Sequence, residues 1–337
     1  MIAQARWRKV AVGGAVLGVV AASSLVGCAL FQSEQVSKGR ELYSHYCSHC
    51  HGESGRQNEG YNWASMPDPK PKDLSNKSEM STFKDEEIFG TISRDMKDTS
   101  PEGGDKIGDD EFAVPTMPTF KYTLSEDEIW SIVAYVRTLH GMKLTYNVEE
   151  RKKEIKDALQ GAQAKFDETK TAYEAAEKKA NDEAEQKGKE VDDDAYAKEA
   201  AALSTAKKVL DEAKNVEERF GKRPKFAQVA RPELTMKPDV AAKSAELGKR
   251  LYSNKYGCNA CHAVDQEGGK VGPALDRAGF RLNPFWVYRW IKYPQAMKPD
   301  SRMPNLGISD QDAKALSLYL STLRAPRQEA TGDKPTS

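Results

Sequence analysis

Two stretches of the chain carry the same hydrophobic pattern. In "LSEDEIWSIVAYVRTL" (124–139), Ile132, Tyr135, Val136 and Leu139 recur at helical spacing. In "ISDQDAKALSLYLSTL" (308–323), Leu316, Tyr319, Leu320 and Leu323 do the same, and the two stretches align without gaps. Apolar residues three and four apart predict one buried face on each helix. Ser125 and Ser309 stand as N-caps, with Glu128 and Asp312 three residues on. That predicts a full capping box in the first copy and an acidic variant in the second. Each helix closes a segment that opens alike, with "GRELYS" (39–44) in one and "GKRLYS" (248–253) in the other. Leu42 stands five residues before Cys47, whereas Leu251 stands seven before Cys258. The pattern predicts a duplicated all-α domain, over 38–145 and 241–325.

The intervening chain differs in kind. Residues 148–219 contain no proline and only two glycines, Gly161 and Gly188. Ile155, Leu159, Ala162, Phe166, Thr169, Tyr173, Ala176 and Ala180 alternate four and three apart, a heptad-like stripe. The stripe breaks at "EQKGKEVDDDAY", where Gly188 supplies a stop and Asp192–Asp194 supply N-caps. It resumes at Tyr196, Leu203, Ala206, Leu210 and Ala213. The prediction is a coiled-coil-like antiparallel hairpin over 146–220, with helices at roughly 150–185 and 193–219, the first about 50 Å long. The competing expectation is a charged, partly disordered linker, because alanine makes a thin seam. Pro224, Pro232 and Pro238 mark 221–240 as connector, and 326–337 reads as a disordered tail.

Composition narrows the setting. The 337 residues are 30% charged, with 51 basic against 51 acidic side chains, which argues against a basic nucleic-acid binder. Arg6, Arg8 and Lys9 precede the small, apolar "VAVGGAVLGVVAASSLVG", the layout of an export signal over 1–27. The signal ends in "LVGC", which resembles the lipobox of bacterial lipoproteins. The resemblance implies cleavage before Cys28, lipid on Cys28 and a tether over 28–37. An uncleaved anchor helix is the alternative, although about 18 residues is short for a span. Either way the bulk of the protein is expected outside the cytoplasm, on the periplasmic side of a bacterial membrane.

The other four cysteines form two CxxC pairs, each followed at once by histidine: Cys47, Cys50 and His51 in "YSHYCSHCHGESG", and Cys258, Cys261 and His262 in "CNACH". Disulfides would suit an exported protein, but they do not require a histidine at the same place twice. Zinc could use Cys47, Cys50 and two of the nearby histidines, yet the second copy has no spare histidine for a four-ligand site. Each segment also places a Met-Pro pair, Met117–Pro118 and Met303–Pro304, just before its capped helix.

A helix, CxxCH, a loop-rich middle, Met-Pro and a capped helix, in that order, resemble a class I c-type cytochrome domain, twice over. The resemblance implies two covalent c-type haems, held by thioethers from Cys47 and Cys50 and from Cys258 and Cys261. His51 and His262 would bind iron on one face, Met117 and Met303 on the other. A thioether ligand favours ferrous iron and raises the reduction potential. Met66, Met80, Met96 and His140 compete with Met117, and Met297 with Met303. In "VGPALDRAG", Gly272–Leu275 resembles the family's Gly-Pro-x-Leu. There Pro273 would lie against His262, with a backbone carbonyl accepting the ring N–H. The first copy lacks it, and Pro71 or Pro69 in "PDPKPKDLS" are the candidates.

The fold expected is therefore mainly α, with two haem domains joined by the hairpin. The implied activity is single-electron relay rather than enzymatic turnover. The implied partners are a quinol-oxidising membrane complex on one side and a soluble cytochrome, terminal oxidase or reductase on the other. A dihaem peroxidase is the alternative, with His140 or loss of Met117 ligation freeing one haem. A redox sensor reporting through the hairpin is a third. Residues 102–128 hold eight acidic residues and two lysines, while 268–303 hold seven basic residues and two aspartates. These are solvated faces or steering surfaces, between the domains or toward partners. The hairpin is expected to contact a partner or to space the haems.

Overall fold

The computed structural model describes residues 34–56, 58–60, 63–66, 68–94, 117–191, 194–226, 231–235 and 237–326. The export signal, Cys28, Met96, nearly all of the acidic insert and the residues beyond 326 lie outside them. Among the described residues there is no strand, only an isolated bridge between Val264 and Glu267. The protein is two helical domains and a long hairpin.

The first domain comprises α1 (34–46), α2 (Ser48–His51), α3 (Lys77–Met80), α4 (Asp85–Ser93) and α5 (Glu126–Leu139). Helix α1 already runs at residue 34, so the tether expected over 28–37 gives way to helix there; Gln35 is buried. The second domain comprises α8 (Pro238–Arg250), α9 (Ala278–Arg281), α10 (Pro284–Lys292), α11 (Pro294–Met297) and α12 (Asp310–Thr322). The connector expected to reach 240 therefore ends earlier, because Pro238 is well suited to the first turn of a helix, where its missing N–H costs nothing.

The repeat in the sequence is a repeat in packing. A Cβ on Gly39 would overlap the carbonyl of Ser131, and one on Gly248 the carbonyl of Ala315. Glycine lets the opening helix of each domain press directly onto the backbone of its capped helix. Tyr43 then meets Tyr135 at 5.1 Å between ring centroids, and Tyr252 meets Tyr319 at 5.6 Å. Ser125 accepts from the Glu128 N–H and Glu128 reaches back to the Ser125 N–H, completing the box. Ser309 accepts from the Asp312 N–H. The two extra residues before Cys258 are taken up by a π-helical turn, Leu251–Lys255, and by Gly257 in the left-handed region at φ 57°.

The hairpin pairs α6 (Val148–Lys187) with α7 (Ala197–Gly221). At 1.5 Å per residue α6 is about 60 Å long, longer than the pattern implied because Asn147 caps it early. Gly188 ends it at φ 60°, and the Lys189 N–H returns to the Ala184 carbonyl. Of the aspartate caps predicted for α7, Asp192 and Asp193 lie outside the described residues; Tyr196 takes the N-cap position without a side-chain cap bond, and Asp194 lies in the preceding turn. Tyr196 instead packs edge-on against Tyr173. Ile155, Ala162, Ala206 and Leu210 are buried along the seam. At the base, Val148, Ile155, Val216 and Phe220 join the first domain's core.

An ion pair inside the first domain braces that base. Arg137 on α5 donates to Asp85 Oδ1 at 2.5 Å and to the carbonyls of Met80 and Phe83. The other carboxylate oxygen accepts the N–H groups of Thr145 and Tyr146, which lead into α6. Both charges are buried, and each guanidinium nitrogen has an acceptor, the condition under which such a pair is tolerated.

Candidate haem sites

Each CxxCH turn is held by its own domain. Gly52, at φ 76°, ends α2, and its carbonyl accepts from the buried Tyr43 hydroxyl at 2.8 Å. In the second domain Tyr252 donates to the His262 carbonyl at 2.7 Å. A Cβ on Gly60 would overlap the Cys50 carbonyl, and one on Gly269 the Ala260 carbonyl. Loop backbone therefore presses against the attachment turn in both copies.

The two histidines are oriented alike. His262 Nδ1 lies 2.8 Å from the Pro273 carbonyl, and His51 Nδ1 lies 3.2 Å from the Lys72 carbonyl. The first copy thus uses neither Pro69 nor Pro71. The acceptor is main chain, so any residue that brings its carbonyl there will serve, and Pro71 only precedes it. Burial depresses the pKa of both imidazoles, against the opposing pull of the carbonyls. The neutral ring with Nδ1–H engaged leaves Nε2 as the free donor, the form that ligates metal. Gly272 keeps the space over His262 open, since a Cβ there would enter the imidazole ring.

The four cysteines are free thiols. Burial pushes the Cys47 and Cys258 thiols up to about 12. Interaction between the Cys50 and Cys261 thiols lowers the first and raises the second. Among the described residues no three His, Cys, Asp or Glu side chains converge as an ion site.

Met303 is held on several sides. Trp290 Nε1 donates to its sulfur at 3.0 Å, Gln295 donates to its carbonyl at 2.7 Å, and its N–H reaches Ser301 Oγ at 3.2 Å. Neither Trp290 nor Gln295 was marked by any sequence pattern. Met117 lies partly buried against the first domain's core. Just after it, Thr119 donates to the Arg94 carbonyl and the Phe120 N–H to the Ile92 carbonyl. Met66 and Met80 are buried, and Met297 ends α11. His140 caps the end of α5 and places Nδ1 3.0 Å from the Leu74 carbonyl, against the segment that also holds His51.

The residues present fit a covalently attached haem. Paired thiols precede a neutral, pre-oriented imidazole, and a thioether stands on a later loop. Buried N–H groups also await acceptors among the described residues, Trp63 Nε1 in the first half and Arg277 Nε in the second.

A family model described as Cytochrome c matches residues 36–140 and again 245–324, together more than half of the chain. The chain belongs to the cytochrome c family and carries its domain twice. Such domains hold c-type haem covalently and transfer electrons through it, and two domains are consistent with two haems. Comparisons with curated proteins and with solved structures returned no match.

Proposed function

We propose that the protein is a lipid-anchored dihaem cytochrome that relays single electrons between respiratory partners outside the cytoplasm. Cys47 and Cys50 would hold one haem with His51 and Met117 as axial ligands; Cys258 and Cys261 would hold the other with His262 and Met303. Bound haem supplies reversible one-electron exchange at iron. The chain supplies neutral imidazoles fixed by main-chain carbonyls, soft sulfur ligands, and burial that limits water at the metal. With both axial positions filled, no coordination site remains for a substrate.

The observation that carries the reading is the paired geometry at His51 and His262. Each imidazole is turned by an Nδ1 contact to a carbonyl on the loop after its CxxCH motif. The anchor at Cys28, and partners such as a quinol-oxidising complex and a soluble cytochrome or terminal oxidase or reductase, rest on the sequence resemblance. A spectroscopic redox titration of the exported protein tests the core of the proposal. It should find two covalent haems per chain, each low-spin, with a methionine-to-iron charge-transfer band accounting for both. One haem with an open sixth position would instead point to peroxide chemistry. Cys28→Ser should move the protein from the membrane fraction to the soluble one, and unchanged fractionation would refute the lipid anchor.

A further inference from the structure

Helix α10 carries an aromatic face that haem attachment and ligation do not account for. Val287, Tyr288 and Ile291 turn into the second domain's core. Trp286 and Trp290, four residues apart, stack at 5.2 Å between ring centroids with 11° between their planes. Trp286 is 38% exposed, so the pair has one end in water. Its other end reaches the site, where the Trp290 indole N–H donates to the Met303 sulfur at 3.0 Å.

Arginines flank this face in an unusual way. The guanidinium groups of Arg231 and Arg289 lie over the Phe285 ring, 5.2 and 6.0 Å from its centroid. Those of Arg277 and Arg324 lie over Phe280 at 5.6 and 5.4 Å, and Phe280 is 56% exposed. Among the described residues none of the four is ion-paired, in contrast to Arg137 and Arg223. Residues 277–299 hold five basic side chains and no acidic one. The helix that precedes Met117 has no such face: α4 opens with Asp85, Glu86 and Glu87 and contains no tryptophan.

We propose that this face docks an acidic redox protein, and that the two stacked indoles are the electron port from that partner to the Met303 side of the second domain. This rests on the function proposed above and gives one partner its surface chemistry. An aromatic ring occupies one face of a guanidinium and leaves the N–H edges pointing outward, where they can take carboxylates through paired hydrogen bonds. Exposed tryptophan beside arginine is also the composition that dominates binding energy at protein interfaces. A surface with positive charge alone repels basic partners and draws acidic ones, raising the encounter rate by roughly 10- to 1,000-fold at low salt. Once docked, a partner against Trp286 is joined to the Met303 sulfur by ring stacking and one hydrogen bond, with no water between. The donor loses one electron and the second domain's ferric iron gains it; no bond forms or breaks and no proton moves.

The test uses the exported holoprotein, with flavodoxin, an acidic one-electron flavoprotein, as the probe. Calorimetry with the oxidised probe measures binding, and stopped flow with the reduced probe measures transfer within the complex. Binding should weaken as salt rises. Arg231→Glu combined with Arg289→Glu should weaken it about tenfold or more at low salt. The same double variant should be reduced faster than the parent by hexaammineruthenium(II), a small cation, which a loss of folding would not produce. Trp286→Leu should slow transfer in the complex about tenfold, as displaced reaction geometry commonly does. The second potential and the methionine-to-iron band should stay as in the parent. Trp286→Phe, which keeps a ring on Trp290, should recover most of the rate.

Equal binding by the parent and the double variant, or transfer untouched by Trp286→Leu, would overturn the proposal. So would a face that prefers phosphatidylglycerol vesicles or a second copy of the chain to flavodoxin, both measured on the Cys28→Ser protein. A preparation without covalent haem refutes the function itself, whereas a protein with both haems ligated by methionine that ignores flavodoxin refutes only the docking face.

Discussion

Met303 shows how one side chain can set the character of a haem site. A thioether sulfur has two lone pairs, and the Trp290 indole engages one of them at 3.0 Å. The other remains for iron. A hydrogen bond draws density from the sulfur and weakens it as a donor to ferric iron, which favours the reduced state. Trp290→Phe should therefore lower the potential of the second domain and leave the first unchanged, with the methionine-to-iron band retained. Redox titration resolves the two couples, and an unchanged second potential would refute the role. Trp290 could not be found by pattern, because it meets Met303 across a turn thirteen residues long rather than at a helical spacing.

At the scale of elements, the Asp85–Arg137 pair joins α4, α5 and the entry to the hairpin. Burial opposes the charge on Asp85. Hydrogen bonds from Thr145, Arg137 and Tyr146 outweigh it and hold the carboxyl below its usual range. A depressed folded pKa contributes stability above the unfolded value of about 3.9, lost as pH falls through the lower folded value. Asp85→Asn leaves Arg137 buried without a counter-charge and should cost about 3–5 kcal/mol. Thermal melts should show that loss at neutral pH, with the gap to the parent protein narrowing in acid.

The hairpin makes the complementary case. Its base belongs to the first domain's core, while its seam beyond Ala162 and Ala206 is mainly alanine, threonine and tyrosine. Shortening both helices beyond those residues should leave both haem spectra and the inter-haem exchange intact. Altered exchange would mean that the arm helps position the haems. Both helices could be read from heptad spacing. The start of α7 could not, because several polar residues compete to cap a helix and tertiary packing chooses among them.

At the scale of the whole molecule, the boundary between the domains is made of contacts distant in sequence. Thr123 and Asn305 are separated by 182 positions. The Asn305 N–H on Thr123 joins the two domains, and the Arg223–Glu128 pair ties the connector to the first.

Local patterning alone determined much of this protein: the duplicated domain, both CxxCH turns with their later methionines, the capped helices and the long hairpin. Helical periodicity, capping and covalent spacing act within a few residues, so they survive in one dimension. Tertiary structure alone decided that the Lys72 carbonyl turns His51, that Trp290 bonds Met303, and that Asp85 braces the hairpin base. Those outcomes depend on how rigid elements rotate and slide until their surfaces fit, and residues that meet in that way need share no spacing along the chain.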